Sequence, residues 1–351
     1  MNKCLRAEKG VRPNIVTCGA ILGLLIAISV TLSACDVSAS GNGTSSATGT
    51  PAGNQVQDFN KAETLKSSGH CDRAIPLYLK VVNENSAYVN AYLGLATCYQ
   101  NQGEANAAIE EYNKAVSVDP KNFYLYHQRA GAESSIGMNG QAAADEKLAL
   151  QFAPSVRDAY RSIAQNFSNF GDFADALTAE SKAIALDPND PSLYQERGGI
   201  YLTAKQYTDA YNDYKKAIAA APYKGLQATI YSGLATVYAG QSDYDKAFGT
   251  MRSAIALQPD SASLYVQSGS IHVSAGGSHL NDAIGLYNKA LTLVHRGPNA
   301  EAATEGKGDA YAALGKLGEA TTAYQQAIRL TKDAGVVAGI KGKIKGLSAQ
   351  S

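Results

Sequence analysis

The side chains best placed to do chemistry are three glutamates, Glu133, Glu146 and Glu180, at positions where the neighbouring stretches carry aromatic residues. Two nearby carboxylates can serve as the acid and base of glycoside hydrolysis, so a hydrolase using the Glu133/Glu146/Glu180 region is one reading. The other is a set of structural pairs with Arg129 and Arg197, which stand in adjoining apolar columns, because a buried charge needs a partner. We take the second, and expect no catalytic residue. The five histidines (His70, His127, His272, His279, His295) are dispersed without metal-ligand spacing. Gly306-Lys307-Gly308 lacks the earlier Gly and the following Ser or Thr of a phosphate-cradling loop. A Gly-x-Ser-x-Gly elbow does not occur, and no thiol stands beside a plausible base. Neither a metal nor a cofactor is implied.

Composition narrows the partners. The chain has 351 residues, 45% of them hydrophobic, with 31 basic and 31 acidic side chains. Nucleic acid is not expected as a partner, because phosphate binding requires a concentrated basic surface. There are 21 Tyr, 7 Phe and no Trp, and alanine is abundant after residue 87. Small residues with tyrosine spacers suit closely packed helices.

The first residues carry an address. Four Lys or Arg fall within residues 1–14, an uncharged apolar run follows from Ile15 to Leu32, and Leu32-Ser33-Ala34-Cys35 comes next. A basic start, an apolar core and small residues before a cut site describe a secretory signal over residues 1–34. The ending resembles the lipobox of bacterial lipoproteins, which implies a diacylglycerol on the Cys35 thiol and a chain lipid-anchored to the extracytoplasmic face of a bacterial membrane. An uncleaved transmembrane anchor and plain secretion are the alternatives. Residues 35–54, rich in Gly, Ser, Thr and Ala, read as a flexible tether.

From Gln55 onward the chain repeats. One alanine column runs Ala74, Ala108, Ala142, Ala176, Ala210, Ala247, Ala283, Ala320, at a spacing of 34 for the first five members and 36 or 37 thereafter. Val81, Ala115, Ala149, Ala183, Ala217, Ala254, Ala290 and Ala327 form a second column, and Ala62, Ala96, Ala130, Ala164, Gly198, Ala235, Gly269 and Gly308 a third. Two antiparallel helices approach closely only where the facing residues are small. Tyrosines fill the spaces on either side, among them Tyr78, Tyr112, Tyr214, Tyr287 and Tyr324 of the second helix. Pro120, Pro154, Pro188, Pro222 and Pro259 end successive units. Glycines such as Gly103, Gly137 and Gly171 fall where a helix stop belongs.

Over residues 55–332 this pattern resembles the tetratricopeptide repeat. The resemblance implies an all-α, right-handed superhelical solenoid of eight helix-turn-helix repeats. Residues 333–351 are read as a C-terminal capping helix and tail, with Val336, Ile340, Ile344 and Leu347 one turn apart. Extra residues near Tyr223–Gln227, Gly276–Ser278 and Arg296–Pro298 predict an irregular stretch between residues 222 and 300. In the family the first helix of each unit lines a concave groove, which here assigns partner binding to Tyr124, His127, Gln128, Asp158, Arg161, Gln165, Gln195 and Glu196. The implied lining is mostly amide and hydroxyl. Gly94, Gly233 and Gly306, inside first helices, either mark backbone close to a ligand or are drift. Cys71 and Cys98 fall on surfaces that adjoin in such a stack, so they form a disulfide or remain two buried thiols. The expected function is a membrane-tethered scaffold that binds proteins or extended peptide segments in the groove, for envelope assembly or secretion; a glycan- or peptidoglycan-binding module is the alternative.

Overall fold

The computed structural model describes residues 53–348, and these are helical throughout, with no strand. The signal segment, Cys35 and most of the tether lie outside the described residues. Seven packed helix pairs are found among the described residues, beginning with α1 (Gly53–Ser67) with α2 (Cys71–Glu84), α3 (Val89–Asn101) with α4 (Ala105–Val118), and α5 (Phe123–Ser135) with α6 (Asn139–Phe152). Next come α7 (Arg157–Phe170) with α8 (Phe173–Leu186) and α9 (Pro191–Thr203) with α10 (Tyr207–Ala220), then the single helices α11 (Lys224–Gly240) and α12 (Tyr244–Leu257). The last pairs are α13 (Ala262–Ala275) with α14 (His279–Leu293) and α15 (Pro298–Ala313) with α16 (Leu317–Leu330), and α17 (Ala334–Ser348) closes the series. The described chain divides between Gln241 and Ser242 into two compact units. In each, a second helix packs on its own first helix and on the next one, as α4 does on α3 and α5, and α14 on α13 and α15.

The small columns are the crossing points. All sixteen members of the first two columns are buried, as are the alanines and glycines of the third. A larger side chain there would hold two helices apart in an interior packed at crystal-like density. Tyrosine also finishes the turns: the Tyr126 hydroxyl donates to the Pro120 carbonyl at 2.9 Å and that of Tyr194 to Pro188 at 3.1 Å.

The first helices α1, α3, α5, α7, α9 and α15 end in the same way. Gly103, Gly137 and Gly171 adopt φ near +80°, and the following amide returns to the carbonyl five residues back, as in Glu104 to Tyr99, Met138 to Glu133 and Asp172 to Phe167. That is the hydrogen-bond signature of a left-handed helix stop. Lys205 occupies the same place in the fifth repeat with φ +60°. A side chain in this region costs roughly 1–2 kcal/mol, of which glycine's extra chain entropy returns about half. Lys205→Gly should therefore stabilise the protein by about 0.5–1 kcal/mol, read as a higher urea midpoint; an unchanged or lower midpoint would show that the turn is unstrained.

The irregular stretch resolves into longer helices. α11 has 17 residues and α15 has 16, against 13 or 14 in the first helices of repeats two to five. Gly276 and Gly277, both at positive φ, make the widened turn of the seventh repeat. α17 buries Ile340 and Leu347 against α16 and anchors Lys343 to Glu305 and Asp309 at 2.8 Å each. The open apolar edge of α16 is thereby covered.

Candidate functional site

One column of the second helices decides where the polar chemistry sits. It holds Tyr78, Tyr112, Tyr214, Tyr287 and Tyr324, all buried, and Met251 in the sixth repeat. The rings reach across to the next first helix. A Cβ placed on Gly94 would lie 2.4 Å from the Tyr78 ring, one on Gly233 2.7 Å from Tyr214, and one on Gly306 2.4 Å from Tyr287. These three glycines make room for a tyrosine of the preceding repeat; a ligand is not needed to explain them.

In the third and fourth repeats this column holds Glu146 and Glu180, with 0% and 1% of their surface exposed. Glu146 Oε1 accepts from Asn166 Nδ2 at 2.5 Å and pairs with His127 Nδ1 at 2.8 Å. Since that oxygen accepts, the histidine donates through Nδ1, and its Nε2 is hydrogen-bonded to Ser162 Oγ at 2.7 Å. The order Ser162–His127–Glu146 is that of a nucleophile, a base and an orienting acid. Ser162, however, lies in the middle of α7, where the backbone N–H groups are spent on the helix's own ladder. No backbone pair is free there to hold a developing oxyanion. What the network does is lock His127 and tie α5, α6 and α7 together.

Glu180 is the more exposed to electrostatic cost. Its Oε1 has no hydrogen-bond partner, and Oε2 of Glu146 is in the same condition. Burial, with the neighbouring Glu196 carboxylate adding to it, pushes the Glu180 carboxyl up to about 8, against the opposing pull of Arg161 and Arg197. Arg161 is committed elsewhere: its Nε donates to Glu196 Oε2 at 2.8 Å, its Nη2 to Glu196 Oε1, and its Nη1 lies 3.6 Å from Asp158.

Arg129 and Arg197 do not pair with the glutamates, contrary to the sequence expectation. Arg129 makes a two-pronged bond to Asp145 at 2.6 and 2.7 Å, and Arg197 one to Asp213 at 2.7 and 2.9 Å. Both aspartates are buried and lie sixteen residues after their arginine, across one helix pair. In the repeat between, Ile163 and Ala179 take the two places. That exchange of an ion pair for an apolar pair was the signal available in the sequence. Glu133, beside Asp145 and Arg129, is pushed up to about 7 by burial. Asp145 and Arg129 are the charged groups that act on Glu133, and Glu196, Arg161, Arg197 and Asp190 those that act on Glu180.

Of the residues assigned to the groove, Tyr124 is 42% exposed on α5, and Asp158 and Gln165 are exposed on α7. Gln128, Gln195 and Glu196 are half-buried, and His127 and Arg161 are bound into the networks above. The lining at the centre of the array is therefore charged as well as amide and hydroxyl. Hydrogen bonds join α5 to α7 through His127–Ser162 and α7 to α9 through Arg161–Glu196, so the three first helices share one polar face. Cys71 and Cys98 are buried free thiols in hydrogen-bond contact, and burial raises the Cys98 thiol. Asn101 also donates to Cys71, at 3.8 Å.

Three matches to models of the tetratricopeptide repeat cover residues 65–129, 191–260 and 275–335, more than half of the chain together. The chain belongs to the tetratricopeptide-repeat proteins. Human tetratricopeptide repeat protein 6 is 26% identical over 167 residues, 47% of this chain and 31% of that protein. The Hsp70-Hsp90 organizing protein of Triticum aestivum is 30% identical over 91 residues, 26% of this chain and 16% of its own length. The chain thus spans a third or less of these relatives. A solved tetratricopeptide repeat protein from Parabacteroides merdae has the same fold, with a TM-score of 0.57 at 16% identity over 74% of this chain and 98% of that one. Such a repeat scaffold mediates contact between proteins.

Proposed function

We propose that the chain is a membrane-tethered, extracytoplasmic scaffold that holds an extended segment of a partner protein on the shared face of α5, α7 and α9. The observation that carries this reading is the preorganised polar face itself. His127–Ser162 and Arg161–Glu196 fix the spacing of the three helices, while Tyr124, Asp158 and Gln165 stay open to solvent. A face held rigid before binding loses little conformational entropy when a segment docks, and amide and carboxylate side chains suit the hydrogen-bonding groups of an extended backbone. The family adds support, since a relative is named for organising two other proteins. Membrane tethering rests on the sequence of residues 1–35.

Two experiments test the proposal. A Tyr124→Ala/Gln165→Ala/Gln195→Ala variant avoids the buried networks, so it should fold within about 0.5 kcal/mol per substitution of the parent. It should lose most of its partners in a crosslinked pulldown; an undiminished partner set would move binding off this face. Cys35→Ala should abolish lipid labelling and leave the precursor uncut. Lipid incorporation equal to the parent's would defeat the anchor.

A further inference from the structure

The same face carries more negative charge than its own cations satisfy. Glu180 and Glu196 converge on Arg161, which bonds Glu196 and reaches Asp158 but leaves Glu180 Oε1 without a hydrogen bond. Arg197 makes its two carboxylate bonds to Asp213, and Arg157, which donates to Asp158 at 3.1 Å, is shared with Asp187 and Asp190 at 3.0 and 3.2 Å. Glu180 is also directed toward this face. It stands in the column whose tyrosines, Tyr78 and Tyr214, reach the following first helix, and the residue met at that place after Glu180 is Glu196. The tyrosine ring, which seals the floor elsewhere, is replaced here by a carboxyl group facing another carboxylate.

We propose that Glu180, Glu196 and Asp158 form a pocket for one cationic side chain, Lys or Arg, of the docked partner segment. This rests on the scaffold reading and specifies what the face selects. A carboxyl buried without a partner is costly, and an ammonium or guanidinium supplies both the donors that Glu180 Oε1 lacks and the charge that offsets Glu180 against Glu196. Charge complementarity decides between occupants: an anionic segment would meet Asp158, Glu180, Asp187, Asp190 and Glu196 against only Arg157 and Arg161, and a neutral glycan would leave the surplus in place. Capture of the cation requires Glu180 to release its proton. The groups facing that carboxyl are Glu196 and Arg197 on α9, Arg161 on α7 and Asp190 before α9. The preference for a cation should therefore strengthen as pH rises through about 8.

The test uses the full chain and short fluorescent peptides, identical except for a central Lys, Arg, Glu or norleucine, titrated by anisotropy. The Lys and Arg peptides should bind roughly tenfold or more tightly than the norleucine peptide, a difference of about 1.4 kcal/mol. That ratio should grow from pH 6 to pH 9 and vanish in Glu180→Gln/Glu196→Gln. Equal affinity for all four peptides, a preference for the Glu peptide, or binding of N-acetylglucosamine oligomers in place of any peptide would each overturn the proposal. Partner pulldown separates it from the scaffold reading. If the Tyr124/Gln165/Gln195 variant loses its partners while Glu180→Gln/Glu196→Gln keeps them, the face binds and the cation pocket falls. If both variants keep them, the face itself is not the binding surface.

Discussion

Between pH 5 and pH 8.5 the protein should lose stability that a Glu180→Gln variant retains, with the gap between the two widening steadily as the pH rises. The sign follows from the direction of the shift. A carboxyl whose folded value is raised, here from an ordinary 4.5 to about 8, holds its proton more tightly in the native chain than in the unfolded one. The unfolded state therefore ionises first, and stability is fully present below pH 4.5 and drains away as the pH climbs through 8. At about 1.4 kcal/mol per unit, the loss is on the order of 4–5 kcal/mol across the window. Glutamine keeps the shape, cannot ionise, and removes the part of the slope that Glu180 contributes. Glu133, raised to about 7, adds a smaller slope of the same sign that remains in the variant. Urea titrations at half-unit intervals of pH measure both chains, and parallel curves would mean that Glu180 is solvated and ionised at neutral pH. The result bears on function directly, because a carboxyl that pays this penalty in the free protein is relieved by a bound cation.

Two glycine-to-alanine changes should move stability in opposite directions. Gly94 and Gly131 both lie inside first helices, where alanine is favoured over glycine by about 0.8–1 kcal/mol. At Gly131 nothing lies within 4 Å of an added Cβ and the position is exposed, so Gly131→Ala should stabilise by close to that amount. At Gly94 the added carbon would sit 2.4 Å from Cζ of Tyr78. That ring is fully buried and its hydroxyl is held by Glu63 at 2.5 Å, so it has nowhere to go without parting α2 from α3. Overpacking of this kind costs typically 1–3 kcal/mol, and in an array whose repeats hold only their neighbours the damage should spread through the first two repeats. A Gly94→Ala protein that melts with the parent would show that the tyrosine column is loosely packed.

The candidate site was partly legible. Glu146 and Glu180 stood out because a tyrosine column was interrupted twice in succession, and that departure located the polar centre of the array. Their partners were misread. Arg129 and Arg197, in adjoining apolar columns, were the expected counter-ions, but the helix crossing carries Asp145 and Asp213 to them instead. Asn166 and Ser162, which complete the His127 network, carried no signal of their own, because an amide or hydroxyl on a polar helix face is ordinary in any sequence.

What the sequence by itself determined is the periodic part of the protein. Alanine every 34 to 37 residues, tyrosine beside it and proline at the end of five units leave two helices per unit only one close way to cross, since only small residues tolerate the approach. The closing helix was equally plain, because its one apolar stripe needs the exposed edge of α16. Only the tertiary structure decided which charges were satisfied. Hydrogen-bond partners sixteen, nineteen or thirty-five residues apart are set by how side chains of fixed length meet across two helix faces. A carboxyl in a tyrosine's place is the same residue in the sequence whether it finds a donor or not; in the fold, Glu146 found His127 and Asn166, and Glu180 was left with an oxygen unpaired.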